Sequence, residues 1–174
     1  MCGGGSSNSI EIGDNTRLVG CKFIFRGEGN KIVLGENSFF QGIEFYIEDN
    51  NNEISTGRHC LFCGQAHLAC CEGTSITFGN DVLMSSEIVF RTTDSHSIVD
   101  MSRNRINHAK SISVGNHVWI GNRAVVLKGS ILHENTVVAS AAVVAGKEYK
   151  SGTVIAGNPA SVVKEDINWE FERI

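Results

Sequence analysis

Aliphatic positions return along this chain at a fixed interval. The motifs "IEIGDN" (10–15), "IVLGEN" (32–37), "ISTGRH" (54–59) and "ITFGND" (76–81) start 22 residues apart, each opening on isoleucine and reaching glycine three residues later. A fifth, "ISVGNH" (112–117), starts 36 residues after the fourth. About fourteen residues beyond the period are therefore inserted between 94 and 111, and "TTDSHSIVD" (92–100) marks where the repeat stops. A shorter period runs inside the repeats. From Val114 an aliphatic residue recurs at every sixth position, at Ile120, Val126, Leu132, Val138 and Val144. Small or β-branched residues precede by two at Val118, Ala124, Thr136 and Ala142. Residues two apart leave an extended chain on the same side, so the pattern predicts short strands that each send a pair of side chains into a core. Glycine, asparagine and serine between them are corner residues.

Three such hexads make a triangular coil, and the 22-residue repeats add about four residues, at "GEGN", "DNNN" and "CEGT". Helical spacing of apolar residues is not sustained anywhere before residue 160. On one face the alternation slips by a residue. "CKFIFR" (21–26) and "IEFYIE" (43–48) turn Cys21, Phe23, Phe25, Ile43, Phe45 and Ile47 inward. Lys22 then lies opposite Glu44 and Arg26 opposite Glu48, favourable cross-strand pairs rather than buried charges. The expected organisation is one all-β domain over 1–174. It has a flexible N-terminus (1–9), about seven triangular coils (10–160), a long inserted loop (about 94–111) and a C-terminal cap (161–174). The tail "SVVKEDINWEFERI" is expected as a short amphipathic helix or strap that closes the open end of the stack.

Composition narrows the function classes. Nineteen glycines and a single proline in 174 residues suit an extended chain with many tight corners. A net charge of −4 argues against a general nucleic-acid surface. No apolar run reaches the roughly 18 residues of a membrane span. "MCGGGSSNS" lacks the features of a signal peptide, so the expected location is cytoplasmic and the six cysteines are expected as reduced thiols. Four of them lie in "HCLFCGQAHLACC" (59–71) beside His59 and His67. In an extended chain Cys60 and Cys63 point to opposite faces, which spoils a shared metal shell. Cys60, Cys63, Cys70 and Cys71 are expected as small core thiols, and no metal is expected.

The hexads, "VWIGNRAVVLKG" (118–129) and "VIAGNPASVV" (154–163) resemble the hexapeptide-repeat acyltransferases, over roughly residues 10–165. That resemblance implies a left-handed parallel β-helix. "TDSHSIVDMSRNRINHAKSISVGNHVWIG" (93–121) is similar to the branch that O-acetylates sugars and capsular polysaccharides, including the sialic-acid type. Its members carry Asp-x-His-x-Ile, a loop ending in Arg-Ile-Asn, and a His-Val-Trp-Ile-Gly coil. The resemblance implies acetyl-CoA as acyl donor, a homotrimer, and a site in the groove between subunits. Its catalytic histidine falls on His96 and its site tryptophan on Trp119. The inserted loop, with Arg105 and Asn107, then builds the acceptor pocket.

Histidine also suits the chemistry on its own terms. A sugar hydroxyl needs a base to attack a thioester, and imidazole titrates near neutrality. Asp94, two residues before His96, would share its side of an extended strand and could orient the ring, though a backbone carbonyl or another acid could serve instead. His117 is expected to line the site or a subunit contact. Trp119, outward between Val118 and Ile120, offers a ring face to a sugar or to pantetheine, or anchors an interface. Gly121, Ala139 and Gly146 are expected to face outward in the last coils, leaving backbone N–H groups for pantetheine and for an oxyanion. Lys147 and Lys164 are candidate partners of the CoA phosphates. An amino-sugar N-acetyltransferase and a non-catalytic binding or assembly module are the alternative readings. A zinc enzyme on this scaffold would need three convergent histidines, which the spacing of His96, His108 and His117 does not supply.

Overall fold

The computed structural model describes residues 7–174. Of the segment 1–9 expected as a flexible terminus, residues 1–6 lie outside the described residues, and Ser9 already begins the first strand. The chain winds in turn through three sheets. The first holds Ser9–Ile12, Lys31–Leu34, Glu53–Thr56, Ser75–Phe78, Ile112–Val114, Ile131–Leu132 and Glu148–Tyr149. The second holds Arg17–Val19, Phe39–Gln41, Leu61–Phe62, Leu83–Met84, Trp119–Ile120, Val137–Val138 and Val154–Gly157, with Ala160–Lys164 at its edge. The third holds Lys22–Arg26, Ile43–Glu48, Ala66–Cys71, Ile88–Arg91, Val125–Leu127 and Val143–Ala145. This makes six complete coils and a seventh of two strands, against the expected seven or so.

The 22-residue period is the coil itself. Ile10, Ile32, Ile54, Ile76 and Ile112 pair in succession, and the last four are fully buried. Ile76 opposite Ile112 spans the 36-residue interval, so the stack keeps its register across the insertion. The hexad residues from Val114 to Val144, with Val118, Ala124, Thr136 and Ala142, are all buried as the alternation requires. Coil length sets side-chain size. The longer early coils are filled by phenylalanines, with Phe40–Phe62, Phe62–Phe78 and Phe78–Phe90 centroids 4.9, 5.2 and 5.1 Å apart. The 18-residue coils are filled by aliphatic groups, Val, Ala, Ile and Leu, with no phenylalanine among them. Lys22 and Arg26 pair in register with Glu44 and Glu48 on the outside, as expected.

One corner explains a recurrent polar position. Asn15, Asn37, His59, Asp81, His117 and Asn135 all adopt φ between 52 and 58°, at the turn from the first sheet to the second. Asn and Asp tolerate this left-handed conformation best, and the two histidines stand in for them. The side chains bond down the stack, as in Asn15–Asn37 at 3.2 Å and His117 Nδ1–Asn135 Oδ1 at 2.7 Å.

The tail is a strap, and no helix is present among the described residues, so none is long and apolar enough to cross a membrane. Ala160–Lys164 turns back antiparallel on Val154–Gly157, because the unpaired groups of the last strand are satisfied by pairing and "SVV" favours a strand. Further on, the Trp169 ring stacks on His117 with centroids 4.2 Å apart. Its Nε1 donates to the His117 carbonyl at 2.8 Å.

Candidate functional site

Residues 92–111 leave the prism as an ordered arm from the corner between the third and first sheets. Lys110 N–H donates to the Thr92 carbonyl at 3.0 Å and closes the base. Farther out the arm folds back on itself. Val99 bridges Arg105, Ile106 N–H donates to the Ile98 carbonyl at 2.9 Å, and Asp100 accepts from the Ser102 and Asn104 N–H groups at 2.9 Å each.

Asn107 is the hub of this arm, 8% exposed and fully bonded. Its Oδ1 accepts from Ile98 N–H at 2.7 Å and Arg105 Nε at 3.3 Å. Its Nδ2 donates to the His96 carbonyl and to Asp94 Oδ2, both at 2.8 Å. Arg105 makes a bidentate pair with Glu72 of coil 3, at 2.7 and 2.8 Å, and Thr93 Oγ1 donates to the same carboxylate at 2.6 Å. The guanidinium first and the Thr93 hydroxyl second bring the Glu72 carboxyl down to about 2. From coil 5, Lys128 Nζ donates to Asp94 Oδ2 and, at 3.0 Å, to the Asn107 carbonyl. The Lys128 ammonium, seconded by the Asn107 amide, holds Asp94 below the usual carboxylate range.

The expected side-by-side Asp94 and His96 are not on an extended strand. Ser95 has φ +65° and His96 N–H donates to the Asp94 carbonyl at 2.8 Å, a three-residue turn to which strand alternation does not apply. The Asp94 carboxylate is taken by Lys128 and Asn107. The imidazole of His96 is exposed and makes no hydrogen bond among the described residues. Asp94 therefore reaches His96 through the Asn107 amide and the His96 backbone, not through the ring.

The other expected site residues divide by corner. Asp94, His96, Arg105 and Asn107 are brought together with Lys128 by the arm. Gly146 and Lys147 share the Lys128 corner one coil on, where Leu127 pairs Ala145. His117 and Trp119 lie elsewhere, at the corner leading into the second sheet and on that sheet. The left-handed corner removes the extended segment expected to align them, and Trp169 joins them instead, its ring 6.0 Å from that of Trp119. Trp119 faces outward as expected, 40% exposed. Lys164 is on the antiparallel edge strand opposite Val154, away from Lys147.

Gly121 is a correction. It is buried, and a Cβ there would meet Ser140 N and Val138 O at 2.7 Å. The backbone donors expected to be accessible are also used internally. Gly121 N–H donates to Val138 O at 2.8 Å, Ala139 N–H to Ile155 O at 2.9 Å, and Gly146 N–H to Ser130 Oγ at 3.1 Å. A parallel stack consumes such groups in its coil-to-coil ladder. Of the clustered cysteines, Cys60, Cys70 and Cys71 are buried while Cys63 is exposed. Burial pushes the Cys60 and Cys71 thiols up to about 11, which leaves them unreactive at neutral pH.

Glu72 and Lys128 escaped the reading of the sequence. A signal was present for Lys128: Lys110, Lys128 and Lys147 follow one another at 18 and 19 residues, the coil period, and so line one corner. Glu72 had no such mark, because it meets Arg105 only after the arm folds back.

The solenoid and its single arm place the chain in the class of left-handed β-helix acyltransferases. It is 30% identical over 166 residues to the polysialic acid O-acetyltransferase of Neisseria meningitidis, covering 95% of this chain and 76% of that protein. The chain belongs to this family of hexapeptide-repeat O-acetyltransferases. The polysialic acid O-acetyltransferase of Escherichia coli O1:K1 is 32% identical over 96 residues, which are 55% of this chain but only 31% of that longer protein. The crystal structure of the polysialic acid O-acetyltransferase OatWY matches with a TM-score of 0.66 at 27% identity, over 97% of this chain and 90% of that one. A hexapeptide-repeat acetyltransferase of Vibrio cholerae, solved with acetyl coenzyme A, shares the fold at 21% identity and a TM-score of 0.56, over 92% of this chain and 71% of that one. No protein-family model matches the chain.

Proposed function

We propose that the protein is an acetyl-CoA-dependent O-acetyltransferase acting on a hydroxyl of a sugar or surface polysaccharide, with His96 as general base. The observation that carries this reading is a histidine whose backbone is fixed by buried Asn107 while its ring is left without a partner. The relatives' acceptor, polysialic acid, and the Vibrio cholerae protein's acetyl coenzyme A supply the substrate classes. Acceptor and donor bind together. The imidazole takes the hydroxyl proton as the oxygen attacks the thioester carbonyl, the C–O bond forms, the C–S bond breaks, and the departing thiolate takes the proton back from the imidazolium. Lys147 and Lys164 are proposed to hold the CoA phosphates, with Gly146 at the corner leaving room for the pantetheine arm.

A homotrimer completes the reading. The outward side of the second sheet carries an unbroken apolar row, Phe39, Leu61, Leu83, Trp119, Val137 and Val154, in register from coil to coil. The arm exposes Ile98, Val99, Met101 and Ile106. Two apolar surfaces on different sides of one chain suit a head-to-tail contact, which a three-fold ring closes. Trp119 and His117 of one copy would then help to line a neighbour's site. The free thiols and the acetyl-CoA donor suit the cytoplasm.

The test is release of free CoA thiol from acetyl-CoA with sugar, amino-sugar and polysaccharide acceptors. His96→Ala at saturating acetyl-CoA is expected to lower kcat about 10²- to 10⁴-fold, the usual worth of a general base, without disturbing assembly. Near-normal turnover in a correctly assembled variant would mean that another group is the base.

A further inference from the structure

The outer face of the third sheet carries polar chemistry that the proposed reaction does not use. Over coils 5 and 6 this face is apolar, with Val125, Leu127, Val143 and Ala145 pointing out in register. Over coils 1 to 4 the same two rows carry Lys22, Glu44, His67, Tyr46 and Arg91 among Ile24, Ala69 and Val89, and the next row adds Glu48. The polar stretch is also where the face is recessed. A cavity of about 550 Å³ lies among Lys22, Glu44, Gln65, His67 and Glu87. Gly20 and Gly42, at φ 63° and 68°, leave its corner edge without side chains. A second cavity, of about 220 Å³, lies among Tyr46, Glu48, His67, Arg91 and Ser95. His67 is a wall of both. Ser95, which immediately precedes His96, ends the series.

Its polar groups are poised for a ligand. His67 Nδ1 donates to Glu44 Oε1 at 2.9 Å, with both side chains about two-thirds buried, and Nε2 remains as the ring's second polar atom. Tyr46 Oη donates to Glu48 at 2.8 Å. Lys22 faces Glu44 at 3.9 Å. Arg91 is the exception: exposed and beside Ser95, its guanidinium has no carboxylate or hydrogen-bond partner among the described residues. A free guanidinium at the His96 end calls for an anion. With Nδ1–H committed to Glu44, Nε2 and the remaining carboxylate lone pairs accept, which suits the hydroxyl donors of a sugar.

We infer that the third sheet over coils 1 to 4 is a binding groove for the stretch of an acidic saccharide chain adjoining the reacting sugar, with Arg91 holding a sugar carboxylate and the His67–Glu44 pair holding hydroxyls. The assignment of the reacting sugar rests on the function proposed above; the groove itself does not. A polymer laid along it would enter the site from Ser95 and gain contacts that a single sugar cannot make.

The test is calorimetric titration of the whole chain, without acetyl-CoA, using a sialic acid oligomer, free sialic acid and a neutral maltooligosaccharide. The acidic oligomer should bind roughly tenfold or more tighter than the other two, and Arg91→Ala should weaken it roughly ten- to a hundredfold, as for a lost charge-assisted contact. His67→Ala should weaken it roughly tenfold, the loss of a hydrogen bond to a partly buried group. Neither variant should alter acetyl transfer to a monomeric acceptor. Equal binding of oligomer and monomer, or wild-type affinity in both variants, overturns the groove. Equal binding of the neutral oligomer overturns the carboxylate assignment. Thiol release with a monomeric acceptor reads the acetyltransferase proposal separately, since its loss with oligomer binding intact would leave the groove standing.

Discussion

Lys128 and Asp94 tie coil 5 to the arm, the ammonium of one closing on the carboxylate of the other and reaching past it to the Asn107 carbonyl at 3.0 Å. Neither residue hydrogen-bonds the His96 ring, so both are expected to act by fixing the backbone that carries it. Lys128→Ala is expected to lower kcat about ten- to a hundredfold, the worth of a charge-assisted hydrogen bond, and Asp94→Asn less. In both variants the pH dependence of kcat/KM should keep its wild-type position. An Asp94 that paired with the ring would raise the imidazole pKa, so Asp94→Asn would move the profile to lower pH. Such a shift would restore the direct pairing.

Glu72 gives the arm a pH limit. Its folded value of about 2 lies below the ordinary 4.5, so the stability it contributes is fully present above the ordinary value and is lost as pH falls toward the depressed one. The stability difference between wild type and Glu72→Gln, measured by urea unfolding, should hold constant from neutrality to about pH 5 and shrink below it. A difference that fails to shrink would mean that Arg105 does not hold Glu72 in solution.

The strap has its own anchor in Trp169, 7% exposed and stacked on His117. Trp169→Ala should cost about 2–4 kcal/mol in unfolding free energy, from lost burial and stacking. Because that ring also neighbours Trp119, the fluorescence of Trp119 should shift to the red as water enters. Unchanged stability would show that the strap is dispensable to the fold.

Lys147 and Lys164 are separated by the fold, one at the arm's corner and one on the edge strand. Changing the residue that meets a CoA phosphate to Ala should raise the KM for acetyl-CoA about ten- to a hundredfold and leave the acceptor KM near its starting value. If neither variant changes it, the nucleotide end lies elsewhere.

How much of this was legible in the sequence depended on the range of the interaction. Inward positions such as Ile32, Phe45 and Val126 follow from alternation and period alone, and they are buried as read. The insertion was visible because Ile76 and Ile112 had to pair whatever lay between them. Contacts across a corner were not legible. Lys128 on Asp94 requires knowing which residue of the next coil stands beneath the arm, and Ser95 gave no sign of its positive φ. Gly121 was read as outward with the other small residues of the last coils, but the backbone of coil 6 occupies the space of its missing Cβ. For the tail the sequence left helix and strap both open, and the free edge of the last strand decided for the strap.

The unbroken pairing of Ile76 with Ile112 also fixes what the arm costs the fold. Bringing together residues 36 apart rather than 22 adds only about 0.4 kcal/mol of chain-closure entropy, since that entropy grows with the logarithm of length. Doubling the closed segment again would add about 0.6 kcal/mol, less than the roughly 0.8 kcal/mol of one buried methylene. A stack that absorbs such insertions so cheaply can carry a longer or rewritten arm at this corner with the rest of the coil left as it is.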